Sequence, residues 1–118
     1  AVVTIGAITD LNLYIQENPE LDNVAKQFIP GYIENKTQLL KDRSVLNWAD
    51  MLHCPILILH GQNDKQVPPK NATSLALNLG ELEKEYQLVI LKGGNHMLSN
   101  KYSDERDRQI IEWFKIYK

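Results

Sequence analysis

Hydrophobic positions along the chain follow two periods. Residues 2 to 8, 55 to 60 and 87 to 91 form short β-branched or leucine-rich runs, two of them near-continuous rather than alternating. Continuous apolar runs of strand length belong to strands covered on both faces, as in a parallel sheet. Between these runs the period lengthens. Leu21, Val24, Ala25 and Phe28 share one helical face behind Asn18-Pro19-Glu20, which reads as an N-cap, a proline at the first helical position and an acid suited to the positive helix end. That helix should stop before Pro30-Gly31, and a second, anchored by Leu39 and Leu40, is predicted over residues 34 to 42. Val67-Pro68-Pro69 then leads into Ala72, Leu75, Ala76 and Leu79, again on one face. Gly80 is the natural stop, although Leu82 keeps the register. In the closing helix Ser103 is the expected cap, Asp104 and Glu105 suit one end, Lys115 and Lys118 the other, and Ile110, Trp113, Phe114 and Tyr117 form the stripe expected to be buried.

Strand, helices, strand, helix, strand, helix is a run of crossover units, and such units build an α/β fold with about three parallel strands and helices on its faces. Residues 1–118 are expected to form part of one domain in which residues 11–48 are a mainly helical, cap-like excursion. In open parallel sheets, chemistry gathers beyond the carboxyl ends of the strands. Asp64 follows the second predicted strand and His96 the third, so both should project from one rim.

Composition narrows the partners. The 118 residues are 43% hydrophobic, enough for a core of ordinary size. Thirteen basic and fifteen acidic side chains give a formal charge of −2 with no long run of either sign. Neither a nucleic-acid stripe nor a polybasic membrane patch is visible, so neither partner is expected. A lone cysteine, Cys54, leaves no internal disulfide or Cys-rich zinc site. It is expected to pack as a small buried hydrophobe and fits a reducing, cytoplasmic location. No secretory signal pattern is present, and the sequons at Asn35 and Asn71 read as chance. The opening "AVVTIGAITD" is strand-like with no lead-in, as though cut from something longer.

A carboxylate and an imidazole on neighbouring loops suit acyl transfer, where a weak nucleophile must lose its proton near neutral pH. Histidine does this with an unperturbed pKa of about 6.5. The carboxylate accepts from the other ring nitrogen and stabilises the imidazolium. Gly61 and Gly93-Gly94 are read as permitting the tight turns that aim these side chains. Asp10, also after a strand, is the rival acid. His60 reads as a core histidine and His53 as a surface one. A metal site from His53, Cys54 and His60 is not expected, because neighbouring strand residues point to opposite faces. Tyr14 and Tyr32 could face a substrate or simply pack.

The segments "CPILILHGQNDKQVPP" and "LKGGNHML" resemble the acid and base segments of the α/β-hydrolases, specifically the prolyl-oligopeptidase-like branch, and "DRSVLNWADMLHCPILILHG" extends the likeness upstream. The resemblance runs from about residue 43 to the end, with the opening strand matching the one after the nucleophile's helix. It implies a three-layer parallel sheet, Asp64 as triad acid, His96 as general base, a peptide or ester substrate cleaved through an acyl-enzyme, and no cofactor or metal. One part departs from the family. The nucleophile there lies in a Gly-x-Ser-x-Gly elbow upstream of both other triad members. No such elbow occurs here, and Ser44, Ser74, Ser99 and Ser103 lack flanking glycines. The expectation is the C-terminal half of a serine hydrolase domain, inert alone, with its serine and oxyanion donors elsewhere. The alternative is a silent fragment that acts only by association, with a complementary half or with itself, through the strand at residues 1–8. A flavodoxin-like binding domain is a weaker third reading, without a glycine-rich phosphate loop to support it.

Overall fold

The structure, a computed structural model, describes all 118 residues. Three strands, β1 (Val2–Ile5), β2 (Ile56–Gly61) and β3 (Tyr86–Leu91), form one parallel sheet in the order β1-β2-β3. Val2 lies opposite Ile56, and Ile56 opposite Tyr86, so the three carboxyl ends finish at one rim. The helices are α1 (Leu11–Glu17), α2 (Glu20–Phe28), α3 (Tyr32–Asp42), α4 (Lys70–Glu81) and α5 (Ser103–Ile116), with short 3₁₀ turns at Val45–Asn47, Ala49–Met51 and Asn100–Tyr102.

The central strand explains the continuous apolar run, since all six residues of β2 are buried. Ile56 and Ile58 face α4, packing with Ala72, Leu75, Ala76 and Leu79 and with Ala49. Leu57 and Leu59 face the other way, onto Leu98 and Trp113 of the α5 side. Helix, sheet and helix make the three layers. A separate small core of Ile15, Ala25, Tyr32 and Leu40 joins α1, α2 and α3. β3 is a sheet edge, which is why Tyr86 and Ile90 stay partly exposed despite an apolar sequence. No helix is long and apolar enough to cross a membrane.

Local chemistry shifts several predicted boundaries. The first strand ends at Ile5 rather than residue 8 because Gly6 turns the chain into the left-handed region, φ 57°. Thr9 is then held away from the sheet, its N–H and hydroxyl donating to Asn71 Oδ1 and the Asn71 carbonyl at 3.1 and 3.0 Å. Helix α1 had no counterpart in the predicted elements. Asp10 starts it, its carboxylate accepting from Leu13 N–H at 3.0 Å. Asn18 does not cap α2 with its side chain: the amide turns back and donates to the Tyr14 carbonyl at 2.8 Å, closing α1.

Of the apolar face predicted for α2, only Ala25 is buried, while Val24 and Phe28 are 47% and 72% exposed. They line an all-apolar groove of about 240 Å³ with Ile8, Leu11 and Tyr14. α3 begins earlier than predicted and carries a non-helical residue at Asn35. α4 runs through Gly80, and Glu83 at φ 54° makes the turn beyond it. Ser103 lies inside α5 and caps nothing, because the 3₁₀ turn at Asn100–Tyr102 leads directly into the helix. Trp113 is buried and Tyr117 packs on it at 4.4 Å, but Phe114 points outward, 45% exposed. Cys54 is half-buried rather than buried.

Candidate active site

Two loops leave the rim side by side, one after β2 and one after β3. Their approach is closer than any side chain would allow. A Cβ on Gly61 would lie 2.3 Å from the carbonyl oxygens of both Gly94 and Asn95. Asn63 N–H donates to the Gly94 carbonyl at 2.9 Å, and Gln62 N–H to the Leu91 carbonyl at 3.0 Å. Gly61 therefore serves loop contact rather than the tight turn read from the sequence. The turn in the second loop is made at Gly93, φ 73°.

The first loop places Asp64, whose side chain is fully buried. Its Oδ1 accepts from the N–H groups of Gln66 and Val67, both at 2.9 Å. Its Oδ2 lies 2.8 Å from His96 Nδ1 and 3.2 Å from His60 Nε2. Burial by itself pushes the Asp64 carboxyl up. The Val67 N–H, the His96 ring and the Gln66 N–H outweigh it and hold the group below the usual carboxylate range. A carboxylate can only accept, so the hydrogen between the two side chains sits on His96 Nδ1.

The second loop carries His96, whose side chain is 23% exposed. It is anchored by Leu98, fully buried against the α5 side of the sheet although its φ is 49°. A left-handed leucine is uncommon and costs conformational energy, which its burial offsets. Below the imidazole lies Gly6, where a Cβ would come within 2.8 Å of His96 Nδ1 and of the His96 carbonyl oxygen. Asn95 Oδ1 accepts from Ser99 N–H at 3.0 Å, and Arg106 donates to the Met97 carbonyl at 3.2 Å, tying the loop on either side of the histidine.

The structure thus brings Asp64 and His96 together over one rim, as their positions after successive strands predict. It does not bring Asp10 there: that residue caps α1. Tyr32 is buried and donates to Asp22 at 2.8 Å, a packing role, whereas Tyr14 donates to the Gln66 carbonyl at 3.0 Å and braces the turn that holds Asp64. His53 is exposed ahead of β2 and His60 buried at its far end. No group of three or more His, Cys, Asp or Glu side chains is placed to hold a metal ion. Ser44 is buried and donates to the Leu40 carbonyl at 2.7 Å, far along the chain from the rim loops. Of the four serines, none hydrogen-bonds to His96, whose one bond is to Asp64. Sequence reasoning missed Gly6, Leu98 and the contact of His60 with Asp64. Only the glycine directly after a strand-like run offered a signal.

The chain has the fold of the α/β-hydrolases, with a carboxylate and a histidine after successive strands in that class's chain order. The family is narrower. Residues 1–117 match the prolyl oligopeptidase family, and the chain belongs to it. It is similar to the uncharacterized peptidase YuxL of Bacillus subtilis (strain 168), 35% identical over 82 residues, covering 66% of this chain and 12% of that protein. It is also similar to the uncharacterized peptidase YtmA of the same organism, 23% identical over 113 residues, covering 96% of this chain and 44% of that one. Among solved structures, a puromycin-hydrolyzing peptidase of Mycobacterium tuberculosis superposes with a TM-score of 0.66 at 28% identity, over 80% of this chain and 14% of that protein. The chain therefore spans less than half the length of each of these relatives.

Proposed function

We propose that this chain supplies the acid and the base of a serine hydrolase, a peptidase or esterase working through an acyl-enzyme, and that the attacking serine lies outside these 118 residues. The 2.8 Å bond between the buried Asp64 carboxylate and His96 Nδ1 carries the reading. It fixes the tautomer in which Nε2 is the free base. Nε2 then takes the proton from the serine as its oxygen attacks the scissile carbonyl, and gives it to the leaving amine or alcohol as the tetrahedral intermediate collapses. Deacylation repeats the two steps with water as nucleophile: Nε2 takes a proton from water as its oxygen attacks the acyl carbonyl, then gives it to the serine oxygen as the ester bond breaks and the acid product leaves. Asp64 stabilises the imidazolium formed in each transfer without taking up the proton. The substrate is a small peptide or ester, and neither nucleic acid nor membrane is a partner.

The segment bearing the serine is proposed to pair with the outer edge of β1, which no strand of this chain covers. A serine-directed phosphonate tests the arrangement. The 118-residue chain alone should stay unlabelled, while a polypeptide that also carries the rest of the family's domain should be labelled once per active site. Stoichiometric labelling of the chain alone would place the nucleophile within it and refute the proposal.

A further inference from the structure

His60 is the least exposed histidine in the molecule, at 0%. Nothing in the acid–base mechanism uses it, and its Nδ1 is buried without a hydrogen-bond partner. A leucine would fill a similar volume at the end of β2 without that unpaired nitrogen, so packing alone does not explain the residue. Its other nitrogen does. Nε2 lies 2.8 Å from the Val67 carbonyl oxygen, and since a carbonyl can only accept, Nε2 bears the hydrogen. The same nitrogen is 3.2 Å from Asp64 Oδ2, the oxygen that receives His96.

Val67 is held at both ends of its backbone. Its carbonyl accepts from His60 and its N–H donates to Asp64 Oδ1 at 2.9 Å. Its side chain is buried, and the residue after it is Pro68, which offers no N–H. The contacts form a closed path from His60 to Val67, from Val67 to one carboxylate oxygen, and from the other oxygen back to His60 and on to His96. Removing the His60 donor leaves a buried carbonyl unpaired, and the Val67 backbone must turn to satisfy it. Turning it releases the N–H that fixes Asp64 Oδ1, and the carboxylate becomes free to rotate away from His96.

We infer that His60 is a positioning residue that orients the Asp64 carboxylate toward His96, through Val67 and by direct contact with Oδ2. The inference rests on the reading of Asp64 and His96 as an acid–base pair, and the test separates the two. Histidine ring nitrogens and their protons are followed by NMR in the ¹⁵N-histidine-labelled chain, beside the amide spectrum as a measure of folding.

In the unmodified chain His96 should show a slowly exchanging Nδ1–H, and His60 an Nε2–H. Absence of the His96 signal refutes the pair itself. A His60 found protonated on Nδ1 instead refutes only the present inference. In His60→Leu the His96 Nδ1–H should exchange about tenfold faster or more, the effect of losing one supporting hydrogen bond, while the amide spectrum stays dispersed. A folded H60L chain with an unchanged His96 signal overturns the inference, because a purely structural role would alter stability alone. H60Q, whose amide can still donate to the Val67 carbonyl, should retain the signal, and its loss there counts against the inference. If H60L fails to fold, the native His60 tautomer and H60Q decide.

Discussion

At the residue scale the site is a balance of donors around one carboxylate. Asp64 is buried, yet its carboxyl stays below the usual range because Val67, His96 and Gln66 outweigh desolvation. A depressed folded-state value adds stability that is present above the unfolded carboxyl pKa of about 3.9 and lost as pH falls through the folded value. Acid unfolding of the native chain should therefore be steeper below about pH 4 than that of Asp64→Asn, which has no charge to lose. Parallel slopes would mean that the donors do not hold the carboxylate. Gly6 gives a steric counterpart. In Gly6→Ala the new methyl meets His96 at 2.8 Å on a backbone with φ 57°. The chain should lose about 1–3 kcal/mol in urea unfolding, and the slowly exchanging His96 Nδ1–H with it. That Asp64 and His96 would meet at one rim was legible in the sequence because each is a polar residue placed just past an apolar run. Gly6 and His60 were not, since what matters there is which atoms from distant parts of the chain come to lie beside them.

At the element scale, burial rather than hydrophobicity decides what each side chain is worth. Leu79 of α4 is fully buried against β2, so Leu79→Ala should cost about 2–5 kcal/mol in chemical unfolding. Phe28 of α2 is 72% exposed, and Phe28→Ser should change the same measurement by no more than about 0.5 kcal/mol. An equal loss in the two variants would show that α2 is covered. The type and order of the strands and of α4 and α5 were legible because their patterns are long and β2 is apolar on both faces. Helix α1 was not, as seven residues carry too few apolar positions to display a period. The capping predictions at Asn18 and Ser103 failed for a related reason. Each residue is polar and correctly spaced, but a preceding helix claims one and a 3₁₀ turn runs straight into the other, making it the first residue of α5.

At the scale of the whole molecule the shape is more extended than the length demands. The radius of gyration is 15.3 Å, with extents of 44 × 31 × 21 Å. A compact chain of this size has about 13.5 Å. The excess follows from a helical segment with its own small core beside a sheet of three strands, and from apolar residues such as Val2 on β1 and Phe28 on α2 left at the surface. An uncovered parallel edge of this kind invites pairing. Sedimentation over a concentration series should show the chain self-associating, and Val2→Lys, at the 42% exposed start of β1, should weaken that association. A chain monomeric at all concentrations would contradict it. The most direct test of the proposed function is the turnover of a complete, serine-bearing polypeptide on an activated ester, with and without Asp64→Asn. The account predicts a kcat lower by about 10⁴ with KM little changed, as when a triad acid loses its charge. An unchanged kcat would show that Asp64 is not the acid.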